Sequence, residues 1–399
     1  MPKPRVSEWR KLPLSLKELC IDTTLRCGQS FRWRQINGEW NCVLHGRLLS
    51  LKQDKDHLHY RVTWPASSKS SSSRKPDAKS QGLDDTEDLI KHYFSLKYDL
   101  KSLYDQWSES DPNFREKAPK FTGIRILSQD AWEALVSFIC SSNNNISRIS
   151  QMVHKLCLHY GPLIGYVGGE AFHDFPPPQA LTGRKVEAHL RELGFGYRAK
   201  YIAETAMIVS MTKPEGWLES LANPENPGWS PTRSSESHEP PTYKMAHEEL
   251  LMLTGVGPKV ADCVCLMGLG WGEAVPVDTH VWQIAQRDYK FGKMKTKTFS
   301  KTMYDSVGDH FRKIWGQQAG WAQSVLFTAN LKSFSEQASS EKSDDVDIKV
   351  KIEEDVVLEP LPASRSRKRR VAIVEKVKVE EHVSTETDRI TIKRRRTRN

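Results

Sequence analysis

The sequence predicts an α+β protein: a small N-terminal antiparallel sheet domain, a larger two-part α-helical body, and a disordered charged C-terminal tail. Three observations carry this. Leu58, Tyr60, Val62 and Trp64 alternate with polar residues at period two, the signature of a half-buried strand. From about residue 84 the apolar spacing lengthens to that of a helix. All 36 aromatic residues lie at or before Phe334, so the last 65 residues lack the bulky groups a core needs.

The length of 399 residues allows two to three ordinary domains. Lys and Arg number 59 against 50 Asp and Glu, a formal charge of +9. The tail beyond Phe334 holds 16 basic and 14 acidic residues, so +7 of that charge belongs to residues 1–334. An anionic partner is implied only if motifs agree with the charge. No stretch approaches the ~18 to 20 apolar residues of a bilayer span, so no membrane association is expected. The N-terminus has no apolar signal core. Seven scattered cysteines do not suggest a disulfide framework and fit a reducing compartment.

In the N-terminal domain, placed at 8–110, Trp40, Cys42 and Leu44 alternate after a turn signal at Asn37-Gly38. With the Leu58–Trp64 run they predict a sheet with one dry face. Residues 65–82 hold seven serines and no aromatic, and read as a flexible insertion. Helices are expected around Leu89, Tyr93, Phe94 and Leu96, around Leu135, Phe138 and Ile139, and around Ile149, Met152, Val153 and Leu156. Residues 185–211 and 243–254 also read as helical, and the Pro- and Ser-rich stretch 223–242 as a surface loop. These belong to a body at 111–333 whose two helical layers face each other across a groove. The tail, 334–399, is acidic first and then basic. Its clusters Arg365, Arg367–Arg370 and Lys393–Arg396 read as nuclear-import signals or extra phosphate contacts, against the plainer reading of a solvated charge run.

The segment 250–287, within a hairpin region placed at 243–287, is the most informative. An amphipathic helix carrying Leu250, Leu251 and Leu253 ends at Gly255-Val256-Gly257, where two glycines permit positive φ and a tight reversal. Pro258 then starts a new helix through Lys259, Ala261, Val264 and Leu266. This is a helix-hairpin-helix, whose backbone N–H groups suit a DNA phosphate. Lys259 stands at the positive end of the helix dipole, where stability favours an acid. That placement favours the neutral amine, a nucleophile, unless the side chain simply reaches into water. Asp278 follows nineteen residues later, just before the apolar run Val281, Trp282, Ile284 and Ala285, and is a plausible N-cap. A carboxylate fixed there also suits a sugar acquiring oxocarbenium character as an N-glycosidic bond breaks.

The segment TGVGPKVADC…VPVDTH resembles the helix-hairpin-helix, Gly/Pro-rich, Asp signature of base-excision DNA glycosylases. CGQSFRW (27–33), FICSSNNNISRI (138–149), LGFGYRAKY (193–201) and GWAQSVLF (320–327), in that order, resemble the eukaryotic 8-oxoguanine DNA glycosylase/AP lyases over roughly residues 8–333. The resemblance implies a lesion pocket and a DNA groove at the junction of the two parts. It implies that Lys259 attacks C1′ and forms a Schiff base, and that Asp278 assists departure of the base. It makes Gly28 the residue whose carbonyl detects the N7–H of 8-oxoguanine, a single donor–acceptor decision worth about 1–3 kcal/mol. It puts Cys263 and Phe327 on the two faces of the flipped base, adds Pro276 to the lesion pocket and sets Gln323 on the Watson–Crick edge. Asn143, Arg148 and Arg198 surround the widowed cytosine, and Tyr197 wedges into the stack. Gly255, Gly257 and His280 meet the DNA backbone. Each residue also has a plainer reading: Cys263, Phe327 and Tyr197 as core, the asparagines as a polar loop or cap, Gly28 as a turn.

The resemblance further implies no metal and no cofactor. It implies duplex DNA with 8-oxoguanine opposite cytosine as partner, a monomer, and a nuclear site of action served by an import receptor on the tail. The basic N-terminus is also compatible with mitochondrial import. An endonuclease III-like enzyme for oxidised pyrimidines shares the hairpin, lysine and aspartate. Such relatives usually hold a four-cysteine iron–sulfur cluster after the aspartate, and no cysteine follows Cys265 here. A silent DNA-binding hairpin protein is the second alternative, against which the Lys259/Asp278 pair argues.

Overall fold

The computed structural model describes residues 4–65, 84–229, 240–292, 300–331 and Phe334. The expectations for residues 66–82 and 230–239, and for the tail beyond Phe334, lie outside the described residues. The chain divides into a compact unit, Met1–Ser343, and a second unit, Asp344–Asn399, none of which is described. Among the described residues no helix is long and apolar enough to cross a membrane.

Strands β1 (Arg5–Val6), β2 (Arg10–Pro13), β3 (Arg34–Ile36), β4 (Glu39–Leu44), β5 (Arg47–Gln53) and β6 (His57–Trp64) form one antiparallel sheet. Its order is β1-β6-β5-β4-β3, with β2 also on β6. The expected turn is present: Asn37 (φ 52°) and Gly38 (φ 77°) both lie in the left-handed region, as a two-residue hairpin joining β3 to β4 requires. A second such turn, His45-Gly46, joins β4 to β5.

Trp40, Cys42 and Leu44 share one face with Leu49, Leu51, Leu58, Tyr60 and Val62. Helix α1 (Ile21–Thr24) and helix α2 (Thr86–Tyr93) cover that face, the latter with Leu89, Ile90 and Tyr93. The expectation of one dry face fails on β4 and β5. A second sheet, the hairpin of β7 (Leu163–Val167) and β8 (Glu170–His173), covers their outer side and buries Val43 and Leu48 against Phe172. The strands of the first sheet stop at Trp64, and helices follow from Thr86, as the change of spacing near residue 84 predicts.

The helical body continues with α3 (Leu100–Ser110), α4 (Pro112–Lys117), α5 (Ala131–Ile139), α6 (Ile146–Tyr160), α7 (Val186–Glu192), α8 (Arg198–Met207), α9 (Trp217–Ser220), α10 (Tyr243–Leu251), α11 (Pro258–Met267), α12 (Thr279–Tyr289), α13 (Lys301–Trp315) and α14 (Ala319–Asn330). The stretch 185–211 is not one helix. Gly194 (φ 92°) and Gly196 (φ 59°) break it into α7 and α8. Helix α5 is buried on all sides and packs against α11, which is buried from Val260 onward. Gly268 makes the approach close: a Cβ there would lie 3.0 Å from Ala131 Cα. These buried helices are the rigid frame on which the site is mounted.

Candidate active site

The hairpin forms as the sequence predicts, with one correction. Gly255 has φ +80°, and a Cβ there would fall 2.5 Å from the Tyr201 ring, so only glycine fits. Gly257 instead has φ −101° and ψ 178°, extended backbone open to any residue. It is the exposed N-cap of α11, with no side chain capping the helix and open space where a Cβ would stand. The first N–H groups of α11 therefore lack intrahelical acceptors and point outward, as an anion site requires.

Lys259 lies in the first turn of α11 and is half-buried. Its Nζ donates to Ser141 Oγ at 3.0 Å and sits 5.1 Å from the centre of the Phe138 ring. The single Ser141 hydroxyl proton goes to Phe138 O at 2.7 Å, so the serine is the acceptor toward the lysine. The lysine is held without an acid partner among the described residues. One turn on, burial pushes the Cys263 thiol up to about 11 against the opposing pull of Lys259, so it remains a thiol at neutral pH.

Lys259 and Cys263 line a cleft together with Gly28, Pro276, Asp278, Gln323 and Phe327. Seven expected residues, from three distant stretches of sequence, thus share one cavity. Gly28 has φ +85°, and a Cβ there would press on Ile146 at 3.1 Å. Gln323 is 5% exposed, yet its amide hydrogen-bonds to none of the described residues and remains available inside the cleft. Phe327 is half-buried, with the exposed His280 ring edge-on to it at 6.0 Å. Asp278 is the N-cap of α12: its Oδ1 accepts from the N–H groups of His280 and Val281, both at 2.9 Å, while Oδ2 takes no hydrogen bond from the described residues. Oδ1 alone does the capping, so one oxygen of the carboxylate is left without a hydrogen bond to the described residues.

A second group forms around the loop after α5. The Ser142 carbonyl accepts from Tyr197 Oη at 3.1 Å and from the Arg198 guanidinium, which also reaches Asn143 O at 3.3 Å. Arg198 is 4% exposed, its Nε has no hydrogen-bond partner among the described residues, and its guanidinium stacks over the Tyr197 ring at 4.5 Å. Asn143 holds a left-handed backbone (φ 48°) and is exposed, as is Tyr197 at 46%. Arg148 is exposed in the first turn of α6, capped by Asn145, and joins neither group by a hydrogen bond. Gly255 and Gly257 belong to the hairpin itself.

Cys27, Gln29, Phe138, Met267, Val281, Ser324 and Thr328 also line the cleft and were not among the expected residues. Some were within reach. Lys259, Cys263 and Met267 are spaced four apart on one helical face, and Ser324 and Thr328 adjoin Gln323 and Phe327 on the same face of α14. Ser141 carried no signal, because only the fold brings residue 141 to residue 259. A separate polar hollow of about 480 Å³ is lined by Asn113, Lys117, Arg287, Asp288 and Asn330. Among its charged residues, Asp288 pairs with Lys117 and, at 2.7 Å, with Arg287, while Glu116 and Lys120 also line it. No group of three or more metal-ligating side chains occurs among the described residues.

Two family descriptions match the chain: 8-oxoguanine DNA glycosylase, N-terminal domain, over residues 11–135, and the HhH-GPD superfamily base excision DNA repair protein over residues 136–306. It is 40% identical to an N-glycosylase/DNA lyase of Saccharomyces cerevisiae over 347 residues, spanning 80% of this chain and 86% of the relative. It is 35% identical to the N-glycosylase/DNA lyase OGG1 of Arabidopsis thaliana, spanning 81% and 80%. Among solved structures it resembles the Clostridium acetobutylicum 8-oxoguanine glycosylase/lyase in complex with double-stranded DNA containing cytosine opposite 8-oxoG. The TM-score is 0.60 at 25% identity, covering 78% of this chain and 91% of that one.

Proposed function

This chain belongs to the eukaryotic 8-oxoguanine DNA glycosylases of the helix-hairpin-helix superfamily, and from that premise we propose how its cleft carries out base-excision repair. The activity is that of a DNA glycosylase with associated AP lyase function, acting on DNA. The substrate we assign is duplex DNA with 8-oxoguanine opposite cytosine. The observation that carries the reading is the single cleft holding an amine, a carboxylate and an unpartnered amide between a thiol and an aromatic ring.

The target base leaves the stack and enters this cleft, with Phe327 and the Cys263 side on its two faces. The Gln323 amide, buried and without a hydrogen-bond partner among the described residues, pairs with its Watson–Crick edge, and the Gly28 carbonyl accepts the N7–H that guanine lacks. Pro276 walls the pocket beside Asp278. The neutral Lys259 amine attacks C1′ as the bond from C1′ to the base nitrogen breaks, and the base takes that electron pair and a proton. The carboxylate of Asp278 faces the positive charge gathering on the sugar, in a cleft where such attraction exceeds its value in water. Loss of a further proton from nitrogen with opening of the sugar ring yields the Schiff base. Loss of a C2′ proton then expels the 3′ phosphate by β-elimination. Neither step calls on a metal or cofactor.

Arg198, Asn143 and Arg148 take the orphaned cytosine, with the exposed Tyr197 ring filling the vacated stack. The open N-terminus of α11, with Gly255 and Gly257, grips the backbone beside the lesion, and His280 adds a contact there. We also propose a division near residue 110 between an N-terminal domain, whose sheet is followed by α2 and α3, and a helical domain beyond it. A nuclear role follows from repair of this kind. We assign monomeric action, and import through the basic clusters of the tail.

The test is borohydride trapping on duplex DNA carrying 8-oxoguanine opposite each of the four bases. A covalent adduct is expected, strongest opposite cytosine, and Lys259→Gln is expected to abolish both adduct and strand cleavage while retaining lesion binding. Wild-type turnover in that variant removes Lys259 as nucleophile.

A further inference from the structure

Asp262 is a carboxylate that the mechanism above does not use. It lies on α11 three residues after Lys259, is 1% exposed, and is not among the residues that line the cleft. Three side chains converge on it. Tyr243 of α10 donates to Oδ1 at 2.5 Å, His247 Nε2 of α10 stands 3.5 Å from the same oxygen, and Tyr304 of α13 donates to Oδ2. Burial pushes this carboxyl above its ordinary range, with His247 and the two tyrosines pulling the other way. An acid so placed costs solvation that an apolar residue of similar size would not, so its presence calls for a use other than packing.

Tyr304 supplies one. Its hydroxyl proton goes to Asp262, and its oxygen accepts in turn from the Val277 backbone N–H at 3.4 Å. Val277 is 2% exposed and immediately precedes Asp278. Two hydrogen bonds therefore run from the helix that carries Lys259, through α13, to the residue before Asp278. Asp278 is fixed on its other side by the cap on α12, so it is held from both directions.

We propose that Asp262 and Tyr304 are positioning residues whose hydrogen-bond relay to Val277 sets the placement of Asp278 relative to Lys259. The proposal rests on the reading of those two residues as nucleophile and assisting acid. Neither Asp262 nor Tyr304 touches substrate. Their effect is on the geometry of groups that do, where a displacement of about 1 Å lowers a rate by as much as ~10²-fold.

The experiment is single-turnover excision of 8-oxoguanine opposite cytosine by the full chain, titrated to saturating enzyme, with thermal melting of each variant. Tyr304→Phe removes one oxygen and keeps the ring. It is expected to lower the saturated rate about 10- to 100-fold while the half-saturating concentration stays within about twofold. Asp262→Asn is expected to behave alike, and the double variant to be no slower than the slower single, as members of one network are. Tyr243→Phe is the control. It strips one hydrogen bond from the same carboxylate but has no link to Val277, and its rate is expected within about twofold of wild type.

A wild-type rate in Tyr304→Phe overturns the relay. So does an equal loss in Tyr243→Phe, which would make burial of the carboxylate the whole effect, or a loss that cooling restores in step with the folded fraction. If Asp262→Asn does not fold, the tyrosine pair decides alone. Lys259→Gln in the same series separates the two levels. An adduct that it alone abolishes keeps the nucleophile whatever Tyr304→Phe does, and an adduct that survives in it removes the premise.

Discussion

Cys263 stands one turn on from the Lys259 amine yet is not itself activated. Its burial outweighs the nearby positive charge and leaves the thiolate scarce until pH approaches about 11. Alkylation of Cys263 by iodoacetamide is therefore expected to be slow at pH 8 and to accelerate only as pH climbs toward that value. Peptide mapping checks this, and labelling at pH 8 as fast as that of a free small thiol would contradict it. At this scale the sequence was most informative where one residue type had an odd position. Lysine at a helix start invited chemistry by its position, while Gly28 was marked by the resemblance alone, and both line the cleft. It was least informative for Ser141 and Tyr304. Their importance lies in a partner more than a hundred residues away for the serine, and in the middle of a relay for the tyrosine, which no spacing rule reveals.

Among elements, the hairpin between α10 and α11 depends on one backbone conformation. Gly255→Ala would place a methyl group in the Tyr201 ring at a positive φ, so a loss of about 2 kcal/mol or more is expected. Urea unfolding would show it as a lower midpoint with unchanged slope. A wild-type midpoint would mean that the turn relaxes freely. Helix α2 offers a pH test. Burial lowers His92 from its ordinary 6.5 to about 4, so the unfolded chain binds the proton more readily than the folded one. The stability that His92 contributes is complete above pH 6.5 and is lost as pH falls from there toward about 4. His92→Gln is expected to flatten stability across that window relative to wild type, and identical slopes would exclude this group.

The turn at Asn37-Gly38 was legible because that dipeptide favours positive φ twice over. The equivalent turn at His45-Gly46 was not, since histidine adopts that conformation less habitually. Burial of Val43 was equally hidden, because its cover arrives from β8, more than a hundred residues on.

For the whole molecule, every residue lining the cleft lies within the compact unit Met1–Ser343. Removal of residues 344–399 is therefore expected to leave excision from naked duplex within about twofold of the full chain at low salt, while steeper salt sensitivity would reveal phosphate contacts from the tail. A truncated chain that binds but no longer excises would mean that the tail completes the site. The charge balance hinted at this partition, since +7 of the +9 belongs to the first 334 residues. The meeting of residues 27–29, 138–141, 259–281 and 323–328 at one cleft was not deducible without the resemblance, because it depends on how α5, α11 and α14 are stacked.

That convergence has a bearing on safety inside a cell. An enzyme that severs strands is hazardous when its chemistry outlives its selectivity. In the proposed mechanism the residues that read the base include Gly28, near the start of the chain, and Gln323, near the end of the folded unit, while Lys259, the proposed nucleophile, lies between them in sequence. Because the cleft is complete only when residues 28, 259 and 323 are all in place, the proposed cutting and the proposed reading of the base depend on the same folded unit.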